Sequence, residues 1–204
     1  MDVRHSNIHQ RGFTLIEVMV AGVVLSIGLL GVFQLHLYTK RSSHASINYA
    51  EAAYMAADML DRIRLNPNQR DNYVLSNYDN GSGYGSIFVA QPDSSQHCTK
   101  NPLDSSINEC TPEQLRAWDQ YQWNETLKGT NATIAGVNIG AVPGLVGCIF
   151  VSGNDVEVVI SWQGLVDSSD AADRVGNSSN AKSCGASGTK RRQVVLNSVI
   201  MDTV

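Results

Sequence analysis

From Phe13 to Phe33 the chain is almost uninterrupted apolar sequence, and the remainder is rich in Ser, Asn, Asp and Gly. A helix rising about 1.5 Å per residue makes such a run about 30 Å long, enough to cross the hydrocarbon core of a bilayer. A membrane segment followed by a soluble domain is therefore predicted. A secretory signal would carry a small-residue cleavage site after the apolar run, and Leu35-His36-Leu37-Tyr38 offers none. Further on, Ile47, Ala50, Tyr54, Ala57 and Leu60 recur at helical spacing, so the helix is expected to continue and to lay that stripe on a sheet. Glu51, Asp58, Asp61 and Arg62 fall on other faces and read as a solvated surface, not as an acid pair for chemistry. Asp58 and Arg62 are spaced for an i,i+4 pair worth about 0.3 kcal/mol. Asn66-Pro67 closes the helix, because proline disfavours helical geometry in the residue before it.

The polar remainder alternates turns with short apolar runs. Tyr78 to Tyr84 is a turn-rich stretch, and Ile87-Phe88-Val89 after it predicts a short strand. Thr111-Pro112-Glu113-Gln114 is a helix start, with Thr at the cap, Pro in the first turn and Gln placed to close a capping box; the helix is expected to reach about Leu127. Its Trp118, Tyr121 and Trp123 would suit a stacking surface for sugars or bases, but aromatics on a short helix are more often core. Val146 to Val151, the Ser152-Gly153-Asn154-Asp155 turn and Val156 to Trp162 form a strong β-hairpin signal. A further strand is predicted over Gln193 to Met201, preceded by Lys190-Arg191-Arg192 as a solvated edge. Asp167 to Gly188 is too polar to bury and is expected to be an exposed loop. These elements predict an α+β chain, its strands in an antiparallel sheet packed on the helix.

Composition narrows the function. A chain of 204 residues has room for one compact domain plus an extended element, and the net charge of −4 gives no electrostatic reason to expect nucleic acid as a partner. The four cysteines, Cys98, Cys110, Cys148 and Cys184, all lie in the polar portion, as oxidised pairs in a periplasmic or extracellular location would. A bridge from Cys184 to Cys148 would tie the loop back to the hairpin, and Cys98 with Cys110 would then close the smaller loop; spacing alone leaves all three connectivities open. The cysteines lack the close Cys/His pairs of a zinc site, so no metal or other cofactor is expected. No P-loop, Gly-x-Ser-x-Gly elbow or His-Glu-x-x-His helix is present, and only His97 among the histidines falls in the domain, so no catalytic residue is assigned. Asn124-Glu125-Thr126 and Asn131-Ala132-Thr133 match the glycosylation triplet, a pattern common by chance.

The unusual residue of the apolar run is Glu17, whose charge would cost about 2.5–3.5 kcal/mol at mid-membrane on insertion scales. It stands in Arg11-Gly12-Phe13-Thr14-Leu15-Ile16-Glu17-Val18, which resembles the processing site of type IV prepilins and the related pseudopilins. The resemblance implies a prepilin peptidase cutting after Gly12 and methylating the new amine of Phe13. A glycine before the scissile bond offers no side chain to obstruct the peptidase. Lys40 and Arg41 roughly balance the basic residues Arg4 and Arg11, so the resemblance, and not the charge distribution, places the N-terminus in the cytoplasm. It likewise implies that the Phe13 amine of an incoming subunit pairs with Glu17 of a subunit already in a filament, setting axial register.

Ser26-Ile27-Gly28-Leu29-Leu30-Gly31 and Ala57-Asp58-Met59-Leu60-Asp61-Arg62-Ile63-Arg64-Leu65-Asn66-Pro67 resemble the V-type minor pilins (PilV) of the type IV pilus. Gly28 and Gly31 read as helix-packing or soft points. The family implies a leader over 1–12, a long helix over 13–66 that is transmembrane at about 13–33, and a globular head with an antiparallel sheet over 67–204. It implies a structural protein, not an enzyme, which helps start pilus assembly, sits at or near the filament tip and supports twitching motility or adhesion. Implied partners are prepilin peptidase, other minor pilins, the major pilin, the inner-membrane assembly platform and a tip adhesin. The protein would lie in the inner membrane with its head in the periplasm, then in the pilus fibre at the cell surface. A minor pseudopilin of type II secretion and a tip-located module binding DNA or glycan are the alternatives.

Overall fold

The structure is a computed structural model that describes residues 12–74, 83–92, 98, 110–130, 133–134, 137–138, 142, 144–174 and 176–202. The leader up to residue 11, most of the Tyr78 to Tyr84 stretch, His97 and the Asn131-Ala132 pair lie outside the described residues. The chain divides into two compact units, Met1–His44 and Ala45–Val204. Helix α1 spans Leu15–Leu65. In the first unit every described residue is exposed, including the whole apolar run.

In the second unit, α1 buries Ala52, Met55, Ala56, Met59, Leu60 and Ile63. This corrects the expected stripe: of its residues only Leu60 is buried, and Tyr54 is 73% exposed. The small Ala52 and Ala56 permit close approach, and the flexible methionines fill the remaining gaps against the domain. α1 ends at Leu65, before Pro67, and a 3-10 helix follows over Pro67–Tyr73.

Helix α2 spans Pro112–Leu127, with the expected capping box: the Gln114 amide donates to Thr111 Oγ1 at 3.3 Å, and the Thr111 amide donates to Gln114 Oε1 at 2.9 Å. Strands β1 (Thr133–Ile134) and β2 (Val137–Asn138) pair antiparallel as a separate two-stranded ribbon. The main sheet is antiparallel with order β3-β4-β5, where β3 is Val146–Ser152, β4 is Asp155–Gln163 and β5 is Arg191–Val199. β3 and β4 form the predicted hairpin, closed by a two-residue turn in which Gly153 has φ +61°, a conformation that costs glycine little. Ile87-Phe88-Val89 is not a strand; Tyr84 alone bridges to Gly147 on β3, and Phe88 is exposed.

One face of the sheet, carrying Ile149, Val156, Val158, Ile160, Trp162 and Val194, joins α1 and α2 in the main core. Tyr49 of α1 meets Trp162 of β4 edge-on, and Arg64 Nη2 donates to Ser198 Oγ of β5 at 2.9 Å. Gly147 faces Trp123 and Leu127 so closely that an added Cβ would overlap the indole. Arg70, buried beneath this end, donates to the Ile200 carbonyl at 2.7 Å and to Asn154 Oδ1 at 3.1 Å, joining the 3-10 helix, the hairpin turn and the end of β5.

The other face, with Val146, Cys148 and Val159, is covered by Ala181 and Cys184 from the polar segment between β4 and β5. Most of that segment is exposed, as its composition suggests, but Ala172, Ala181, Cys184 and Gly185 within it are buried. It contains a 3-10 helix at Ala171–Asp173 and a short helix α3 at Ser179–Ser183, and it is bonded to the sheet through Cys148–Cys184. Cys98 and Cys110 form the second disulfide. Arg191 is not a solvated edge: it is buried and forks onto Asp170 at 2.6 and 2.9 Å, while its Nη1 donates to the Lys182 carbonyl at 3.0 Å. Burial pushes the Asp170 carboxyl up, but the bonds from Arg191 and from the Gly188 and Ala172 amides outweigh it and hold the pKa at about 2.

Two predictions follow from this packing. Gly147→Ala is expected to lower unfolding free energy by about 2 kcal/mol through overpacking, read from urea denaturation. Asp170 has a folded pKa below its unfolded value of about 3.9, so its contribution of about 2 kcal/mol is present above that pH and lost as pH falls through about 2. Thermal melts across this window should show the gap between the wild-type protein and Asp170→Asn closing toward low pH; a gap independent of pH would refute the clamp.

Candidate functional site

The N-terminal segment brings together the residues singled out by sequence. Gly12, Phe13 and Thr14 precede the first turn of α1, and the Thr14 side chain caps that turn by accepting from the Glu17 amide at 3.3 Å. The Thr14 carbonyl takes the same amide at 3.1 Å and that of Val18 at 3.3 Å. Glu17 thus sits at the positive end of the helix dipole, where a carboxylate is favoured. It is exposed, and among the described residues no cation stands within ion-pair distance of it. Phe13 is 83% exposed, at the head of a run of apolar side chains none of which is buried. Downstream, Ser26 Oγ donates back to the Gly22 carbonyl at 2.7 Å, which satisfies that hydroxyl within an apolar helix. A Cβ at Gly28 or Gly31 would meet nothing within 4 Å, leaving both positions open to an incoming helix. By length and composition α1 is able to cross a membrane.

A second constellation, on α1 and α2 within the other unit, escaped sequence reasoning. Arg62 donates from Nε to Asp58 Oδ2 at 2.9 Å, the expected i,i+4 pair, and from Nη1 to Asp119 Oδ1 and Gln122 Oε1, both at 3.0 Å. The face read as solvated is in this part half-buried. Asp119 is buried and also accepts from the Tyr73 hydroxyl at 2.7 Å. Burial raises the Asp119 pKa against the lowering by Tyr73 and Arg62, and burial together with Asp119 raises that of Tyr73. Beside this network Trp123 is core, but Trp118 and Tyr121 are only half-buried and line an open groove. Sequence spacing could not reveal it, because the partners are separated by up to 60 residues. Asn124 is fully buried, so its glycosylation triplet is not accessible in the folded domain.

Residues 7–33 match the family model described as the prokaryotic N-terminal methylation motif. No curated protein and no solved structure matches the chain. The motif supports the prepilin and pseudopilin superfamily, and the long apolar helix followed by a small antiparallel three-stranded sheet agrees with the type IV pilin-like α+β fold expected from sequence. A motif of this kind implies processing by prepilin peptidase, membrane anchoring and assembly with other pilins.

Removing the carboxylate at the centre of the buried network leaves the Arg62 cation and the Tyr73 hydroxyl without their shared acceptor. Asp119→Ala is therefore expected to lower stability by about 3 kcal/mol, read from the midpoint of chemical denaturation.

Proposed function

We propose that the protein is a V-type minor pilin of a type IV pilus, made as a prepilin and built into a filament as a structural subunit. The observation that carries this reading is the Arg11-Gly12-Phe13 processing pattern with Glu17 in the first turn of a helix whose apolar first part is wholly exposed. Residues 1–12 are the leader, Phe13 is the methylated mature terminus, 13–66 the long helix with its membrane span at about 13–33, and 67–204 the periplasmic head. Cleavage creates an amine at Phe13 in a low-dielectric setting, where attraction to a carboxylate is strong. The capped turn of α1 presents Glu17 outward, so the amine of a neighbouring subunit supplies the missing cation. This pair sets axial register during assembly.

The Ser26-to-Gly31 run and the size of the head favour a pilus over a type II secretion pseudopilin, which shares the processing site. In this reading the subunit joins other minor pilins on the inner-membrane platform, helps start the fibre, and stays at or near its tip with the major pilin below. A tip adhesin and a role in twitching motility or adhesion complete the assignment. The head remains as a compact domain stapled by two disulfides in an oxidising compartment.

Expression with active prepilin peptidase should yield a product beginning at methylated Phe13 by intact mass and N-terminal analysis. Glu17→Gln should be cleaved to the same terminus yet fail to enter sheared pilus fractions. An uncut Met1 terminus despite active peptidase would refute the assignment, whereas normal assembly of Glu17→Gln would refute the register role alone.

A further inference from the structure

The groove beside the buried network has a volume of about 520 Å³ and is open to solvent. Trp118 and Tyr121, one turn apart on α2, form one wall, with ring centroids 5.8 Å apart and planes tilted by 38°. Two half-buried aromatics at such an angle make a stepped apolar platform wide enough for a pyranose ring, whose axial C–H groups stack on π faces. The rest of the lining is polar: Arg62, Gln122, Glu125, Thr126 and Thr130.

These polar groups are held in place from behind. Three hydrogen bonds fix the Arg62 guanidinium through Nε and Nη1, and among the described residues its Nη2 and the Gln122 Nε2 make no hydrogen bond. Glu125 is fixed by Lys128 at 3.0 Å and by the Thr130 hydroxyl at 3.1 Å, and each carboxylate oxygen has lone pairs to spare. The site therefore offers oriented donors and an acceptor around an aromatic platform, the complement of a ring of hydroxyls. Its charge argues against an anionic ligand. Arg62 and Glu125 line the groove and are ion-paired behind it, Arg62 with Asp58 and Asp119 and Glu125 with Lys128, so the carboxylates outnumber the cations.

We propose that this groove is a binding site for a neutral sugar unit, stacked on Trp118 and Tyr121 and hydrogen-bonded by Arg62 Nη2, Gln122 Nε2 and Glu125. The site does not depend on the pilin reading, since it is built wholly within the domain that starts at Ala45. In a filament subunit it would give the head a glycan contact of its own.

The test uses the full-length protein in a detergent without a sugar headgroup, titrated with chitotriose, maltotriose and cellotriose and followed by tryptophan fluorescence. Trp123 and Trp162 are buried, so the signal reports on Trp118. At least one trisaccharide should bind saturably, with a dissociation constant below about 1 mM. Trp118→Ala, which removes the fluorescent reporter and is therefore titrated by calorimetry, should weaken that binding about tenfold or more with an unchanged melting temperature. Gln122→Ala, which leaves the aromatic platform intact, should weaken it several-fold and covers the case in which Trp118→Ala does not fold. Three results overturn the proposal: no saturation by any of the three sugars up to about 10 mM, wild-type affinity in Gln122→Ala, or preference for a single-stranded oligothymidylate over the sugars.

Discussion

A three-stranded sheet with apolar residues on both faces needs cover on both, and among the described residues this domain has only two helices of useful length. One face takes them. The other takes a polar segment that hydrophobic burial holds only weakly, since among its described residues Ala172, Ala181 and Cys184 are the buried apolar ones. Covalent and ionic ties do the holding. Cys148–Cys184 bonds the segment to β3, and Asp170–Arg191 fastens it to the start of β5. Gln193 adds hydrogen bonds from its side chain to the Ala181 and Cys184 carbonyls at 2.7 and 2.9 Å, so the backbone of the segment is satisfied by the strand it covers. A small core is made sufficient by cross-links, as in other oxidised domains of modest size.

Helix α1 meets two different requirements along its length. Its first part carries apolar residues on every side and buries none of them, the pattern of a segment whose solvent is lipid or other helices. Its later part buries a narrow stripe of Ala and Met and keeps charge at its border. Arg62 lies at that border and is shared among Asp58, Asp119 and Gln122, which fastens α2 to α1 without adding apolar surface. The same fastening positions α2 so that Trp123 enters the core, donating from Nε1 to the Met55 carbonyl at 3.0 Å, while Trp118 and Tyr121 remain at the groove. Stability of the domain and the shape of its candidate ligand site thus rest on one ion-pair network.

Much of the protein was legible from sequence because the signals are local. The N-terminal methylation motif over residues 7–33, the capping box at Thr111, the helix stop at Pro67 and the hairpin turn at Gly153 each depend on residues close together in the chain. Tertiary structure decided the remainder. The face of α1 that is buried, Ala52, Met55, Ala56, Met59, Leu60 and Ile63, is rotated from the stripe read by spacing, and Ile47 and Tyr54 are left outside. Ile87 to Val89 has strand composition but does not join the sheet; among the described residues only Tyr84 bridges to the open edge of β3. The polar segment after β4 and Arg191 at the start of β5 each look solvated in isolation; the segment stays mostly exposed, but its Ala172, Ala181 and Cys184 and the Arg191 side chain are buried, with Asp170 and Arg191 neutralising one another across 21 residues. Periodicity and composition describe what a segment can do alone, whereas burial of a charge or of a polar loop is set by a partner that only the folded chain brings near.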